Sequence, residues 1–292
     1  MKRSDVSIRA DALREIIDGY AREPGVRSLE NNIKKIIRKA VMRIVSGEVK
    51  RGIVVKKEDV PKYLGPRLYM DERLDEKPLP GVVKGLAWTS LGGDVLQVEA
   101  TAVRTGRAAF KQTGQLGDVM VESSEIAYTY VRSLLDHNES YRKFFEEHSI
   151  HLHVPAGATP KDGPSAGITM ATALYSLATG KPVKPTIAMT GELTLTGRVM
   201  PVGGIKEKTI AAKRYKIRHM IMPEENRKDW EEVPQHVRKG IVPHFVRRYE
   251  EVLAFCFDQK ALAPAALRAA GAAGTAGERK RAKEASARPK KL

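Results

Sequence analysis

Apolar residues recur at helical spacing near the start of the chain. The stripe consists of Ile8, Leu13, Ile16 and Ile17. Ser4 or Asp5 can cap this helix at its amino end, and Gly19 together with residues 23–25 ends it. We therefore expect an amphipathic helix over residues 8–21.

A second, longer helix follows this break. Ser28 begins it and Gly47 ends it. Its apolar face is formed by Leu29, Ile33, Ile36, Ile37, Val41, Ile44 and Val45. Residues 52–60 then predict a short strand, and the proline-containing residues 66–80 predict a linker. The pattern indicates a small helical unit that ends at a domain boundary.

After the linker, β-like runs alternate with helical ones. Residues 86–103 predict a hairpin that turns at residues 92–94. Residues 117–136 have helical periodicity, and residues 150–155 predict a strand whose alternate side chains share a face. A mostly apolar helix then runs to Gly180, where the glycine ends it.

The remaining pattern continues this mixture. It predicts a buried strand, a turn with a second strand, a helix, a third strand and a final helix, at residues 186–193, 195–204, 205–215, 219–223 and 247–257. The predicted fold is therefore an α/β domain with a mixed sheet, preceded by a small helical subdomain.

Four segments follow from these patterns. We expect a helical subdomain at residues 1–65, a linker at 66–80, the α/β domain at 81–258 and a tail at 259–292. The tail is rich in Ala, Gly, Lys and Arg and poor in large apolar residues, so it predicts disorder.

Composition limits the class of protein. The 292 residues are 42% hydrophobic, which is enough for at least one full core. No run approaches the roughly 18 apolar residues that span a bilayer, and the first residues lack the apolar segment of a signal peptide. We expect a soluble intracellular protein without membrane association. Cys256 is the only cysteine, which excludes an intrachain disulfide and a cluster of thiolate metal ligands.

The net charge of +16 is concentrated at the two ends. Residues 1–64 carry 16 Lys/Arg against 9 Asp/Glu, and residues 259–292 carry 9 against 2. Residues 65–258 are nearly balanced, with 26 against 24. The basic ends predict either weak binding to nucleic acid or another anionic partner, or simply solvated surfaces.

The motif TPKDGPSAG allows two readings, a phosphate-binding loop or a loop that presents a nucleophile. A P-loop has four residues between its glycines and a lysine after the second. Here five residues separate Gly157 from Gly163, Pro164 follows, and Lys161 lies before the turn. The motif therefore disfavours phosphate. Ser165, placed before an apolar helix, is either a nucleophile beside free backbone N–H groups or the N-cap of that helix.

A serine nucleophile needs a base, and the sequence offers two pairs. His151 and His153 share a strand face, which also allows metal binding or simple packing. Lys206 and Lys208 lie at the start of a helix, where burial and the helix dipole favour a neutral amine. These lysines point about 200° apart, so only one can face inward. Periodicity leaves this choice open.

The residues GATPKDGPSAG and AMTGELTLTGRVMPVGGIKEKTIAA resemble the proteolytic domain of the Lon family of ATP-dependent serine proteases. The similarity extends over residues 80–258 through GLAWTSLGGD, TGQLGDVMVES and IHLHVPAGATP. Upstream, YAREPGVRSLENNIKKIIRKAV resembles the helical lid that closes the family's AAA+ ATPase module. No P-loop occurs in the 292 residues, so we expect a carboxy-terminal piece of such a protease, without its ATPase core.

The resemblance implies roles for individual residues. Ser165 matches the nucleophile and Lys208 the general base of a Ser–Lys dyad. Thr190 matches a threonine that hydrogen-bonds the lysine, with a strand-end cap as the alternative. Asp162 matches an aspartate that can pair with the lysine and help to switch the site, with a plain turn residue as the alternative. Arg27 matches a sensor of bound nucleotide.

The resemblance also implies partners and location. Peptide hydrolysis needs no cofactor or metal, whereas the whole protease uses ATP and Mg²⁺. Unfolded proteins are the implied substrates, and a homo-hexamer is the implied assembly, in a bacterial cytoplasm or alternatively a mitochondrial matrix. A module that binds ATPase subunits or DNA and carries an unused serine is the competing hypothesis.

Overall fold

The structure is a computed structural model. It describes residues 5–21, 23, 25–50, 52–69, 77–89, 92–155 and 160–257. The predicted tail at 259–292 lies outside these residues, as do Ser4 and much of the predicted linker. No helix in the described part is long and apolar enough to cross a membrane.

The first unit joins two parallel strands and three helices. In chain order these are β1 (Val6–Ile8), α1 (Ala10–Tyr20), α2 (Arg27–Val45), β2 (Ile53–Val55) and α3 (Val60–Leu64). Their shared core consists of Ala12, Ile16, Tyr20, Ile36, Ala40, Val55, Val60 and Tyr63. This core forms because both long helices turn their apolar stripes toward each other and toward the strand pair.

Three details of the first helix were predicted wrongly. Ile8 belongs to β1, where it pairs with Val55 of β2, so α1 begins only at Ala10. The residue that precedes the helix is Arg9, so Asp5 does not cap it. Gly19 lies inside the helix, where its carbonyl accepts the backbone N–H groups of residues 68 and 69. Long-range pairing therefore overrides the local signals. The second helix begins at Arg27, one residue before Ser28.

The second unit is built on a mixed sheet. Its strands and those of a small extra hairpin are β3 (Val82–Thr89), β4 (Gly92–Arg104), β5 (Ala109–Thr113), β6 (His148–His153), β7 (Ile187–Met189), β8 (Glu192–Leu193), β9 (Val199–Met200), β10 (His219–Pro223) and β11 (Val242–Val246). The seven-stranded sheet has the order β11-β10-β7-β3-β4-β6-β5, and β8 pairs with β9 separately. The mixed α/β fold is thereby confirmed.

Helices cover both faces of this sheet. They are α4 (Asp118–Leu135), α5 (Glu139–Glu147), α6 (Gly167–Thr179), α7 (Ile205–Arg214), α8 (Arg227–Glu232), α9 (Gln235–Arg238) and α10 (Tyr249–Phe257). Alternate strand residues separate into two cores. Val83 and Met189 pack with α4 and α6, whereas Leu86 and Ala188 pack with α7. The strands β3, β4, β7 and β10 therefore contribute to both apolar layers, whereas β6 contributes only to the first.

Two predicted elements differ in the structure. Gly92 pairs with Thr89, so residues 92–94 belong to β4 instead of forming the hairpin turn. The strand predicted at residues 186–193 is interrupted after Met189, and Glu192 starts the separate hairpin. The interruption arises because the N–H of Gly191 donates to the carbonyl of Ser165, which draws the chain away from the sheet.

Candidate active site

Ser165 lies in a single 3₁₀ turn, Pro164–Ala166, directly before α6. Gly163 enters this turn at a φ of 112°, a left-handed value that favours glycine. The residue at the N-cap of α6 is Ala166, so the alternative in which Ser165 is only a helix cap is wrong. Ser165 is partly exposed, and its hydroxyl makes no hydrogen bond within the described residues. This hydroxyl is therefore available to react.

Lys208 is the lysine of α7 that faces inward. It is only 2% exposed and points to the same side of the helix as Ile205, whereas Lys206 faces solvent. Burial disfavours the charged ammonium and lowers the pKa of Lys208 from 10.5 to about 8. About a fifth of this amine is thus neutral at pH 7.4, far more than for an ordinary lysine, and the neutral form can accept a proton.

Thr190 connects the lysine to the serine turn. It follows β7, is fully buried, and accepts a hydrogen bond of 3.0 Å from Lys208 Nζ. Its own hydroxyl donates at 3.2 Å to the carbonyl oxygen of Ser165, which also accepts the Gly191 N–H at 2.9 Å. One hydroxyl thus orients the amine and fixes the backbone of Ser165.

Asp162 lies at the amino end of α4. Its Oδ1 accepts the backbone N–H groups of Met120 at 3.0 Å and Gly163 at 2.8 Å. An anion at a helix amino end satisfies free donors and complements the helix dipole. Asp162 has no contact with Lys208 in this structure, so its role in switching remains a prediction.

Gly117, which the sequence did not single out, leaves the space that the Asp162 carboxylate occupies. A Cβ at Gly117 would lie 2.4 Å from Asp162 Cγ. The neighbouring Lys161 makes three hydrogen bonds to the same segment. Its Nζ donates to the carbonyl of Gly114, its backbone N–H donates to the carbonyl of Gln115, and its carbonyl accepts the N–H of Gly117. The glycine of the GDVM stretch was the available signal, but its contact joins segments distant in sequence.

Within the described residues, the other candidates make no hydrogen bond with Ser165. His151 Nε2 and His153 Nδ1 lie 2.8 Å and 2.7 Å from the hydroxyl of Thr113, so the strand pair has a packing and hydrogen-bonding role. No group of three metal-ligating side chains occurs among the described residues.

Burial raises the pKa of the Cys256 thiol to about 12, which keeps it inert. Arg27 is exposed at the first turn of α2, and its nucleotide contact remains a prediction.

Comparison with protein families gives two adjoining matches. The Lon protease (S16) C-terminal proteolytic domain matches residues 54–259, and the Lon protease AAA+ ATPase lid domain matches residues 1–53. The two matched ranges meet between Ile53 and Val54, inside β2, whereas the predicted boundary lies after residue 65. The position of the boundary remains a prediction.

Individual proteins that are similar to the chain also carry the Lon protease name. The chain is 57% identical over 257 residues to Lon protease 1 of Syntrophotalea carbinolica, covering 88% of the chain and 31% of the relative. It is 51% identical over 254 residues to Lon protease of Dictyoglomus thermophilum, covering 87% and 32%. It is 48% identical over 263 residues to the mitochondrial Lon protease homolog of Ostreococcus lucimarinus, covering 88% and 28%. The chain thus spans about a third of the length of these relatives.

Proposed function

Because the chain belongs to the Lon protease family, we propose that it is the peptide-hydrolysing part of an ATP-dependent serine protease, with Ser165 as nucleophile and Lys208 as general base. The observation that carries this proposal is the buried amine of Lys208, hydrogen-bonded to Thr190, which in turn holds the carbonyl of the serine turn. A lysine becomes a useful base when desolvation lowers its pKa toward the working pH.

The reaction proceeds by acyl transfer. Neutral Lys208 takes the hydroxyl proton of Ser165 as Oγ attacks the peptide carbonyl. The resulting ammonium returns the proton to the leaving amine when the C–N bond breaks. A water molecule then attacks the ester and loses a proton to Lys208, which returns it to Ser165 Oγ as the ester C–O bond breaks. The product leaves as an acid that ionises to the carboxylate, and Ser165 and neutral Lys208 are regenerated. No other reactant is needed.

The serine turn supplies electrostatic stabilisation. The backbone N–H of Ser165 lies in the first turn of this 3₁₀ segment, whereas the N–H groups of Gly167 and Ile168 already donate to Pro164 and Gly191. A free backbone donor beside the nucleophile would stabilise the oxyanion of the tetrahedral intermediate. Thr190 keeps the amine oriented because its hydroxyl oxygen accepts a hydrogen bond from Lys208 Nζ. The nitrogen lone pair then remains for the Ser165 proton.

The partners follow from the family. We propose that unfolded proteins are the substrates, that the protein assembles as a homo-hexamer, and that the longer protein uses ATP and Mg²⁺. Arg27, in the lid, would sense the nucleotide. The basic ends support weak DNA binding, and relatives from bacteria and from a mitochondrion support the cytoplasm or the matrix as its location.

Hydrolysis of casein and of a short fluorogenic peptide tests the proposed function. We expect Ser165→Ala to abolish cleavage while the circular dichroism spectrum stays unchanged. Ser133→Ala, on the exposed side of α4, is the matched control and should cleave like wild type. Undiminished cleavage by Ser165→Ala would refute the assignment. No cleavage by wild type, together with no reaction of Ser165 with a phosphonate, would favour a binding module.

A further inference from the structure

The end of the β3–β4 hairpin contacts the first turn of α7 through two directly opposed residues, Trp88 and Gly93. Opposed residues of antiparallel strands place their side chains on the same face of a sheet. Two positions along, the opposed pair of Leu86 and Val95 packs with Ile205 of α7. The Trp88–Gly93 pair therefore faces the helix that carries Lys208.

Gly93 allows the backbone of α7 to approach β4 closely. A Cβ at Gly93 would lie 1.9 Å from the carbonyl oxygen of Glu207 and 3.0 Å from the backbone nitrogen of Lys208. Real Cβ atoms do not come this close to backbone, so any side chain at this position would displace the first turn of α7. The position of Lys208 thus depends on the absence of a side chain at Gly93.

Trp88 contacts Gly204, the residue that directly precedes α7. Gly204 precedes α7 with a φ of 73°, and a Cβ there would lie 2.8 Å from Cβ and Cγ of Trp88. The carbonyl of Gly204 accepts the N–H of Lys208 at 2.9 Å. Trp88 is nevertheless 61% exposed, so one side of the indole covers Gly204 while much of the ring faces solvent.

Asp94 holds the other end of the helix. Its Oδ1 accepts hydrogen bonds from Arg214 Nη2 at 2.9 Å and from the hydroxyl of Tyr215 at 2.8 Å. Arg214 also donates to the carbonyl of Gly93 at 3.0 Å. Gly93 and Asp94 therefore hold both ends of α7 against β4, which is part of the sheet.

We propose that the Trp88–Gly93 pair positions Lys208 for proton transfer, so that Trp88 and Gly93 are positioning residues of the active site. This inference rests on the proposed function, because it assumes that Lys208 is the base. The hairpin acts through the first turn of α7, since neither residue needs to contact the substrate for this role. A misplacement of about 1 Å in an active site can cost roughly 100-fold in rate.

Three variants and a control test the proposal. Trp88→Ala removes the indole from Gly204, Trp88→Phe retains a ring there, and Gly93→Ala introduces the clash with Glu207. Gly203→Ala is the control, because its Cβ would come no closer than 3.9 Å to Trp88. Peptide hydrolysis is measured from pH 6 to pH 10, and the titration of Lys208 is followed by ¹³C NMR on protein labelled at lysine Cε. The Lys208 signal is identified by its loss in Lys208→Gln.

Trp88→Ala and Gly93→Ala should lower kcat by about 10- to 100-fold with little change in KM, and the pKa of Lys208 should rise from about 8 toward 10.5 as water reaches the amine. Trp88→Phe should restore most of the rate, and Gly203→Ala should behave as wild type. Because Trp88 is largely exposed, its variants remain informative if Gly93→Ala fails to fold.

An unchanged kcat and an unchanged Lys208 titration in Trp88→Ala would overturn the proposal. A fall in kcat that Trp88→Phe does not rescue, with the titration unchanged, would also overturn it. Ser165→Ala is assayed in parallel. Cleavage by that variant would refute the proposed function, whereas the NMR titration would still decide whether the hairpin sets the burial of Lys208.

Discussion

Lys208 Nζ lies 3.0 Å from Thr190 Oγ1 in a site where the threonine is fully buried and the lysine 2% exposed. This contact joins α7 to the end of β7, and the same hydroxyl reaches on to the carbonyl of Ser165. The properties of the site that can be measured follow from this chain of hydrogen bonds and from the burial of the amine.

The rate of peptide hydrolysis should rise with pH, with a midpoint near 8. Burial lowers the pKa of Lys208 to about 8, and only the neutral amine, which dominates above that pH, accepts the serine proton. The measurement is kcat/KM against pH, with Lys206→Gln as control, since this exposed lysine should leave the midpoint unchanged. A rate that falls as pH rises through 8 would contradict the assignment of the base.

Removal of the Thr190 hydroxyl should slow catalysis. Thr190→Val keeps the shape but deprives Lys208 Nζ and the Ser165 carbonyl of a partner. We expect kcat to fall by about 10- to 100-fold. Thr190→Ser retains the hydroxyl and should keep most of the rate. Steady-state kinetics distinguish the two, and equal rates for Thr190→Val and wild type would show that the bridge is dispensable.

Loss of the lysine charge should stabilise the fold at neutral pH. The pKa of Lys208 is lowered on folding, from 10.5 to about 8. The unfolded chain therefore binds more protons between these values, and stability rises with pH across this window. Below pH 8 the buried charge costs about 3 kcal/mol.

Urea unfolding of Lys208→Met measures this cost. The free energy of unfolding should increase by up to about 3 kcal/mol at pH 7, and the gain should shrink as pH rises from about 8 to 10.5 and be absent above it. Lys206→Met, at an exposed position, is the control and should change stability by less than about 0.5 kcal/mol. Destabilisation by Lys208→Met at pH 7 would be inconsistent with a costly buried amine.

The carboxylate of Asp162 should stabilise the serine turn through α4. Asp162→Ala leaves the Met120 N–H without its acceptor and should cost about 1 kcal/mol in unfolding free energy. Asp162→Asn keeps an acceptor oxygen and should cost less. Gly117→Ala should resemble Asp162→Ala, because its Cβ would occupy the space of the carboxylate. Thermal denaturation compares the three. Equal stability of Asp162→Ala and wild type would show that the cap contributes nothing.

Much of the fold could be predicted because its helices are periodic. The second helix, the helices at α4, α6 and α7, and the end of α6 at Gly180 were all predicted within a few residues. Their apolar faces or their glycine stops are local features of the sequence. The errors lie where a distant partner decides the conformation, as when Ile8 pairs with Val55.

The site shows the same division. Residue types and the family resemblance selected Ser165 and Lys208, but periodicity could not choose between Lys206 and Lys208. The choice depends on how α7 packs against the sheet, and this depends on contacts such as that of Gly93 with Glu207. For Asp162 the sequence allows a plain turn residue, but in the structure its carboxylate accepts a hydrogen bond from the backbone of Met120, 42 residues away. A local pattern does not reveal such a distant partner.

Reaction of Ser165 with a fluorophosphonate, followed by mass mapping, tests the central claim most directly. The reaction is run at pH 8 on wild type, Lys208→Gln and Lys206→Gln. The Ser–Lys assignment predicts an adduct on Ser165 in wild type and in Lys206→Gln, and labelling at least about tenfold slower in Lys208→Gln, which lacks the base. An adduct on a different serine, or equal labelling of Ser165 in Lys208→Gln and wild type, would contradict it.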